Sequence, residues 1–256
     1  VKNVPYNSVQ DITGQRHVFS SAGLNASSKS RMCVAYAYAL IEDGDKNAME
    51  GAGQASRLFA DLNVNDLVER AYGNTINILD GSPVASGHYD VIFDEEMQAS
   101  LFQVFSMMFS GKSAKDGVNP MREKLGHTIA DPRLNIIDQP LNSQGFGYSL
   151  FDAEGIATHA TPLIVDGVLN TLIHNSATAS FFDVVTTGHA SRSPKSTMGV
   201  SLHQVEISAG GATSADLLSG EYLLLTDMTG LHSGANAISG DFSFGASGYL
   251  CQDGER

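Results

Sequence analysis

Two carboxylates, Asp152 and Glu154, stand two positions apart just before Gly155 and form a compact pair of acids. On a β-strand, residues i and i+2 point to the same face, so the pair would present two neighbouring carboxylates. Such a pair can raise the pKa of one member for general acid–base catalysis, or it can bind an amine. The alternative is a polar turn in which the two carboxylates cap backbone amides.

A second polar segment runs from Gly240 to Gly245 and contains Asp241 and Ser243. Its glycines allow positive φ or the close approach of another chain. No obvious base stands near Ser243 in the sequence, so the segment does not resemble a nucleophile with its activating partner. Asp241 therefore joins Asp152, Glu154 and Gly155 only as a candidate residue of a substrate cleft.

Familiar catalytic and metal-binding motifs fail when they are tested on this chain. Gly111-Lys112-Ser113 ends like a phosphate-binding loop, but the glycine required five positions earlier is Ser106. No two of the eight histidines stand three to five positions apart, so no helix presents two imidazoles to a metal. A site assembled across strands stays open. The two cysteines, Cys33 and Cys251, are expected to be buried, unreactive thiols of a reduced, cytoplasmic protein.

The chain is acidic, since 15 Lys and Arg against 28 Asp and Glu give a formal net charge of −13. Twelve of the acids lie between residues 134 and 255, where Arg192 and Lys195 are the only bases. This balance disfavours binding to nucleic-acid backbones. No apolar run approaches the roughly 18 residues of a membrane-spanning helix, and no signal peptide is visible, so no membrane association is expected. The chain begins with Val rather than Met, and we expect a fragment shortened at both ends.

Hydrophobic spacing predicts which elements hold these residues. Residues 16–42 are typical of two strands, and residues 46–80 of two helices. A helix over residues 94–111 is expected to start at an Asp94 cap and to end at Gly111, and its apolar faces indicate deep burial. Shorter elements follow: a strand at 134–137, a hairpin with a type I′ turn at Asp166-Gly167, a helix at 175–182 and strands at 200–207 and 222–226.

This order of elements predicts an α+β fold, with a helical layer and a large antiparallel or mixed sheet. A soft boundary near residues 81–87 separates a strand–helix part, residues 1–86, from a strand-rich domain, residues 87–256.

Several blocks of the second part together resemble the TldD/PmbA family, in the family's order and spacing. These blocks are Phe-Asp-Ala-Glu-Gly-Ile-Ala-Thr at 151–158, Leu-Ile-Val-Asp-Gly-Val-Leu at 163–169, Leu-Ile-His-Asn-Ser-Ala-Thr-Ala at 172–179, Thr-Gly-His-Ala-Ser-Arg at 187–192 and Ser-Gly-Asp-Phe-Ser-Phe-Gly-Ala-Ser-Gly at 239–248. Residues before about 90 fit more loosely. The resemblance implies a PmbA/TldD-like fold.

The family contains two related subunits. The TldD type is a metalloprotease with His-Glu-x-x-x-His on a buried helix, and the TldE or PmbA type lacks this motif and partners the first. In this chain the predicted helix over 94–111 takes that position, with Phe102 and Met107 in place of the histidines and Gln103 in place of the glutamate. Neither Phe nor Met is a normal zinc ligand, and Gln cannot take a proton from water. The resemblance therefore implies no catalytic residue, metal or cofactor in this chain, and zinc in a TldD-type partner.

The leading hypothesis is a cytoplasmic TldE/PmbA-like subunit that completes the substrate cleft of a TldD-like peptidase, with a peptide or unfolded protein bound by strand addition. The partner is then a TldD-like protease subunit in a heterodimer, and a homodimer is a further option. One alternative is an independent hydrolase that uses Asp152, Glu154 or Asp241. Another is a non-enzymatic binding protein that modulates gyrase, the activity for which the family is named, or a toxin–antitoxin target.

Overall fold

Three strands and one helix make up the first of two compact units in the computed structural model, which describes residues 1–256. This unit comprises Val1–His17 and Ser27–Ser86, and the second comprises Val18–Ala26 and Gly87–Arg256. The elements of the first are β1 (Asn7–Phe19), β2 (Asn25–Asp43), β3 (Lys46–Ser56) and α1 (Val64–Leu79). The sheet order is β1-β2-β3.

Helix α1 packs on this sheet through small side chains. Its Leu67 and Ala71 form a buried cluster with Ala35 and Ala37 of β2. The helix begins after Asn63, whose side chain accepts a hydrogen bond from the backbone N–H three residues later. This is the arrangement that satisfies a free amide of the first helical turn.

The prediction of helix over residues 46–56 is wrong, because this segment is strand β3. Its small residues face tyrosines of β2: Gly51 is opposite Tyr38, and Gly53 is opposite Tyr36. A Cβ atom at Gly51 would lie 2.8 Å from ring atoms of Tyr38. The small residues therefore make room for aromatic rings on the neighbouring strand, a pairing that single-sequence helix propensity does not reveal.

The second unit contains nine strands and four helices, several of them very short. They are β4 (Val91–Phe93), α2 (Glu95–Phe105), α3 (Gly111–Lys115), β5 (Ile136–Asp138), β6 (Thr161–Val165), β7 (Val168–Leu169), α4 (Ser176–Phe182), β8 (Ala190–Ser191), β9 (Gly199–Val200), β10 (Val205–Ile207), α5 (Ser214–Leu217), β11 (Glu221–Thr229) and β12 (Gly245–Gln252). None of the helices in the chain combines the length and the apolar composition that crossing a bilayer requires.

Three small sheets organise the second unit, where the sequence predicted one large sheet. Their orders are β10-β5-β6-β7, β12-β11-β4 and β8-β9. The main core lies between the first of these sheets and the helices, with Phe109, Leu163 and Leu169 almost fully buried. The predicted type I′ hairpin joins β6 to β7, since Asp166 and Gly167 both have positive φ, 49° and 75°.

The long helix predicted over residues 94–111 is broken. Asp94 caps it as expected, by accepting a hydrogen bond from the backbone N–H of Met97, but α2 ends at Phe105. A 3₁₀ turn follows, and Gly111 opens α3 instead of closing α2. A Cβ atom at Gly111 would collide with the ring of His174, so glycine is required by packing. The prediction of deep burial is also wrong, because Met97 is the only buried residue of α2.

The strand predicted at 200–207 is divided into two strands in different sheets. Residues 199–200 pair with β8, and residues 205–207 pair with β5. Residues 201–204, which include His203, belong to neither strand. The helix predicted at 175–182 is confirmed as α4, which begins after an Asn175 cap.

Candidate functional site: a groove beside helix α2 and a buried Asp-His-His cluster

Asp152 is bound by the protein's own backbone. Its side chain is buried, and Oδ1 accepts hydrogen bonds from the backbone N–H groups of Glu154 and Ile156, at 2.9 and 3.0 Å. Oδ2 accepts a third from the N–H of Ala190, at 3.0 Å. Residues 152–155 form a turn, so the expectation that Asp152 and Glu154 share one face of a strand is wrong. The alternative of a turn whose carboxylates cap backbone amides describes what is found.

Glu154 likewise binds a backbone amide group, at the N-terminus of helix α4. Its Oε2 accepts hydrogen bonds from the backbone N–H and the hydroxyl of Ser176, the first residue of that helix, at 2.9 and 2.7 Å. A carboxylate at a helix N-terminus satisfies a free amide and interacts well with the helix dipole. Gly155 next to it has φ of 79°, and a Cβ atom there would collide with Leu24.

Asp241 lies elsewhere, in the exposed loop between β11 and β12. Its backbone pairs with Asn236 and with the hydroxyl of Ser239. Its side chain is exposed, whereas that of Asp152 is 1% exposed. These placements assign local structural roles to Asp152 and Glu154.

The three residues at the positions of the zinc motif line the wall of a groove. Phe102 stacks on Phe109 with 5.5 Å between ring centroids, so it faces the core. Gln103 and Met107 line a cavity of about 310 Å³ together with Leu202. Gln103 and Leu202 also line an adjoining cavity of about 360 Å³. Because the two cavities share Gln103 and Leu202, we call them together the α2 groove.

The far wall of the α2 groove is formed by residues 202–207, including strand β10. Val205 and Ile207 line the groove with His203. Strand β10 is the edge of its sheet, with β5 as its only neighbour. The N–H of Ser208 and the carbonyl of Gln204 pair with the β5 side. Because antiparallel pairing alternates, the backbone N–H and C=O groups of residues 205 and 207 point away from β5, to the unpaired edge.

A buried cluster of Asp138, His189 and His203 lies behind this wall. Oδ2 of Asp138 is 2.8 Å from Nε2 of His189 and 3.1 Å from Nδ1 of His203. Oδ1 accepts hydrogen bonds from the backbone N–H groups of His203 and Gln204, at 3.0 and 2.6 Å. The side chains of Asp138 and His189 are fully buried, and that of His203 is 12% exposed. His203 therefore belongs both to the cluster and to the groove.

The electrostatics of the cluster keep its carboxylate charged. Burial by itself raises the pKa of Asp138, but hydrogen bonds from His189, His203 and the backbone N–H of Gln204 outweigh it and hold the pKa well below its usual range. A different balance acts on His174, which lies near the cluster. Burial, and then the electrostatic effect of His189, lower the pKa of His174.

Sequence reasoning missed this cluster because its members are 51 and 65 positions apart. No two histidines have the spacing that places a pair of metal ligands on one helix, so no ligand pattern is visible in the sequence. One signal was available, since Asp138 directly follows the apolar residues of a predicted strand. A carboxylate at the end of a buried strand requires partners, because an unpaired buried charge is very costly.

Comparison with known proteins identifies the family of the chain. Residues 86–256 match the family described as PmbA/TldA metallopeptidase C-terminal domain. The chain belongs to the PmbA/TldD family. Metalloprotease PmbA of Escherichia coli O157:H7 is 29% identical over 167 residues, which cover 64% of this chain and 35% of that protein. A metalloprotease of Methanothermobacter thermautotrophicus is 31% identical over 132 residues, covering 50% of this chain and 28% of that protein.

Solved structures confirm the PmbA/TldD-like α+β fold. A Thermotoga maritima protein named as a modulator of a DNA gyrase superposes with a TM-score of 0.88 at 27% identity, covering 96% of this chain and 57% of that one. TldE of Thermococcus kodakarensis shows the same fold, with a TM-score of 0.82 at 22% identity, again covering 96% and 57%. The chain therefore spans little more than half of these structures, and still less of the PmbA sequences.

The PmbA/TldD family is named for metallopeptidases, and this chain offers metal ligands in one place. The positions of the zinc motif do not fit a metal, because Phe102 and Gln103 of α2 and Met107 of the following turn supply no imidazole, thiolate or carboxylate. The cluster of Asp138, His189 and His203 does fit, since its three ligand atoms lie within 4.8 Å of one another. Two imidazoles and one carboxylate are a common ligand set for zinc and for non-haem iron.

Proposed function

We propose that this PmbA/TldD family member is a TldE/PmbA-type subunit that binds an extended peptide for a TldD-like zinc peptidase. In this proposal the partner supplies the zinc motif. This chain supplies part of the substrate cleft, and the α2 groove is that part.

The unpaired edge of β10 carries the proposal. Strand addition holds a peptide by main-chain hydrogen bonds, so it accepts many sequences, and side-chain pockets add preference. Residues 205 and 207 provide two N–H donors and two C=O acceptors for such a peptide. The groove beside them has apolar walls at Leu202, Val205 and Ile207, where alternate side chains of the peptide can bind.

The chemistry of the α2 side of the groove supports a binding role over a catalytic one. Gln103 can donate and accept hydrogen bonds, but its amide has no proton-accepting function near neutral pH. Met107 adds a flexible, polarizable side chain of the kind found at surfaces that bind varied partners. Both residues therefore suit the recognition of a peptide.

The test is a peptide-cleavage assay with a TldD-like partner, this protein, and the two mixed. We expect cleavage to require the mixture or to be at least about tenfold faster in it, because half of the cleft is missing otherwise. Cleavage by the partner that is unchanged when this protein is added contradicts the proposal. Cleavage by this protein alone would replace it with the independent hydrolase.

A further inference from the structure

We propose that Asp138, His189 and His203 bind a divalent transition-metal ion of the Zn²⁺ type, at a site separate from helix α2. The proposal does not depend on the peptide-binding role, and it revises the expectation that this chain carries no metal of its own.

The first argument is the convergence of three ligand atoms. Nε2 of His189 and Nδ1 of His203 lie 2.8 and 3.1 Å from one carboxylate oxygen, Oδ2 of Asp138. Zinc binds imidazole nitrogen and carboxylate oxygen at roughly 2.0–2.2 Å, so two ligands of a tetrahedral site are about 3.4 Å apart. All three ligand atoms lie within 4.8 Å of one another, so small side-chain shifts would place them around one ion.

The second argument is that the other polar atoms of two ligands are already bound. Oδ1 of Asp138 accepts hydrogen bonds from the backbone N–H groups of His203 and Gln204, and Oδ2, which the N–H of His203 also reaches at 3.2 Å, faces the imidazoles. Nδ1 of His189 lies 2.8 Å from the carbonyl oxygen of Thr187. Metal-bound histidines characteristically donate their second N–H to a carbonyl or a carboxylate, and metal-bound carboxylates are themselves hydrogen-bonded.

The third argument is burial. The side chains of Asp138 and His189 are fully buried, that of His203 is 12% exposed, and the two imidazole rings lie with their centroids 4.8 Å apart. A buried carboxylate needs a compensating partner, and a metal ion bound by both imidazoles would supply one.

A cluster held by hydrogen bonds alone is the rival. In that cluster each imidazole donates one N–H to Oδ2 of Asp138. A metal ion would replace both hydrogens and would use the bound second nitrogen of His189. His203 also forms part of the wall of the α2 groove, so an ion can enter there without opening the core.

The decisive measurement is the metal content of the tag-free protein, purified without chelators and then dialysed after exposure to Zn²⁺. We expect about one equivalent of zinc per chain, as for other sites with three protein ligands. X-ray absorption at the zinc edge should show two imidazole ligands, and Co²⁺ in place of zinc should give visible d–d bands. The result that overturns the proposal is less than about 0.1 equivalent of bound zinc, which would leave the cluster held by hydrogen bonds alone.

A pair of variants tests the assignment of the ligands. His203→Gln removes one ligand at the least buried member, and it should weaken zinc binding at least about tenfold while the circular dichroism spectrum is retained. His127→Gln changes an exposed histidine outside the cluster and should bind zinc like the unaltered protein. Equal binding by both variants overturns the assignment. If His203→Gln does not fold, the absorption spectrum of the unaltered protein decides.

Discussion

Oδ2 of Asp152 accepts a hydrogen bond from the backbone N–H of Ala190 at 3.0 Å, and this contact ties together segments 38 residues apart. The same carboxylate also fixes its own turn through two further N–H groups. A buried carboxylate with three backbone donors leaves all three unsatisfied when it is removed. Stability, more than activity, should therefore depend on it.

Asp152→Ala should lower the free energy of unfolding of the second unit by about 3 kcal/mol, since each hydrogen bond to a charged group contributes roughly 1.5–3 kcal/mol and the losses are not additive. The measurement is urea unfolding followed by circular dichroism. The matched control is Asp241→Ala, an exposed carboxylate whose loss should change stability by less than about 0.5 kcal/mol. If the Asp152→Ala protein is stable and fails only in peptide cleavage, Asp152 belongs to the substrate cleft instead.

Ile207→Pro should leave the fold intact and weaken peptide binding. The backbone N–H of Ile207 points away from β5, and proline is tolerated on an edge strand at such a position. A peptide strand added to β10 would lose one main-chain hydrogen bond and meet the proline ring, so cleavage in the mixture with a TldD-like partner should fall at least about tenfold. Ile207→Val, which keeps the N–H, should cleave normally. Equal cleavage with both variants would show that the peptide does not bind along β10.

Cys33 and Cys251 should both resist thiol reagents in the folded protein. Their exposed fractions are 0% and 2%. Burial raises the pKa of the Cys33 thiol, and its hydrogen bond to the carboxylate of Asp11 raises it further, so less reactive thiolate is present at a given pH. With a disulfide reagent at pH 8, both thiols should react at least about tenfold faster in denaturant. Fast labelling of either native thiol would contradict the burial.

Gly248→Ala should destabilise the β11–β12 ladder by about 2 kcal/mol or more, through strain between the two strands. A Cβ atom at Gly248 would overlap the carbonyl oxygen of Leu224, next to the irregular register between Leu225 and Asp227. Gly210→Ala is the control, because a Cβ atom there meets nothing within 4 Å. Thermal unfolding of the two variants gives the comparison. Similar melting temperatures would show that the strands can separate at no cost.

Local patterns predicted the helix caps and turns well, because these depend on residues close in sequence. The Asp94 cap, the short helix over residues 176–182 and the Asp166-Gly167 turn are confirmed. Strand β3 was not predicted, because its alanines and glycines owe their conformation to tyrosines on β2. The break after Phe105 was likewise hidden, since Gly111 packs on His174, which is 63 positions later.

The candidate site was likewise predicted only where it depends on residues close in sequence. Phe102, Gln103 and Met107 were placed on one helix, and all three line the groove, although Met107 lies in the 3₁₀ turn after α2. Its other wall was out of reach of sequence reasoning, because β10 becomes an edge strand only through pairing with β5. Asp152 and Glu154 were chosen as candidates because of their spacing alone. In the structure, Asp152 stabilises a turn and Glu154 caps a helix.

The position of Asp138 in the chain also limits how early the second unit can fold during translation. Its carboxylate is made 51 residues before His189 and 65 before His203, so a nascent chain carries it for some time without its imidazole partners. At about 5–20 residues per second, the wait until residue 203 is made is roughly 3–13 s. Strands β5, β6 and β7 can pair meanwhile, but burial of the charge must be delayed. The centre of the second unit therefore closes only after most of that unit has been translated.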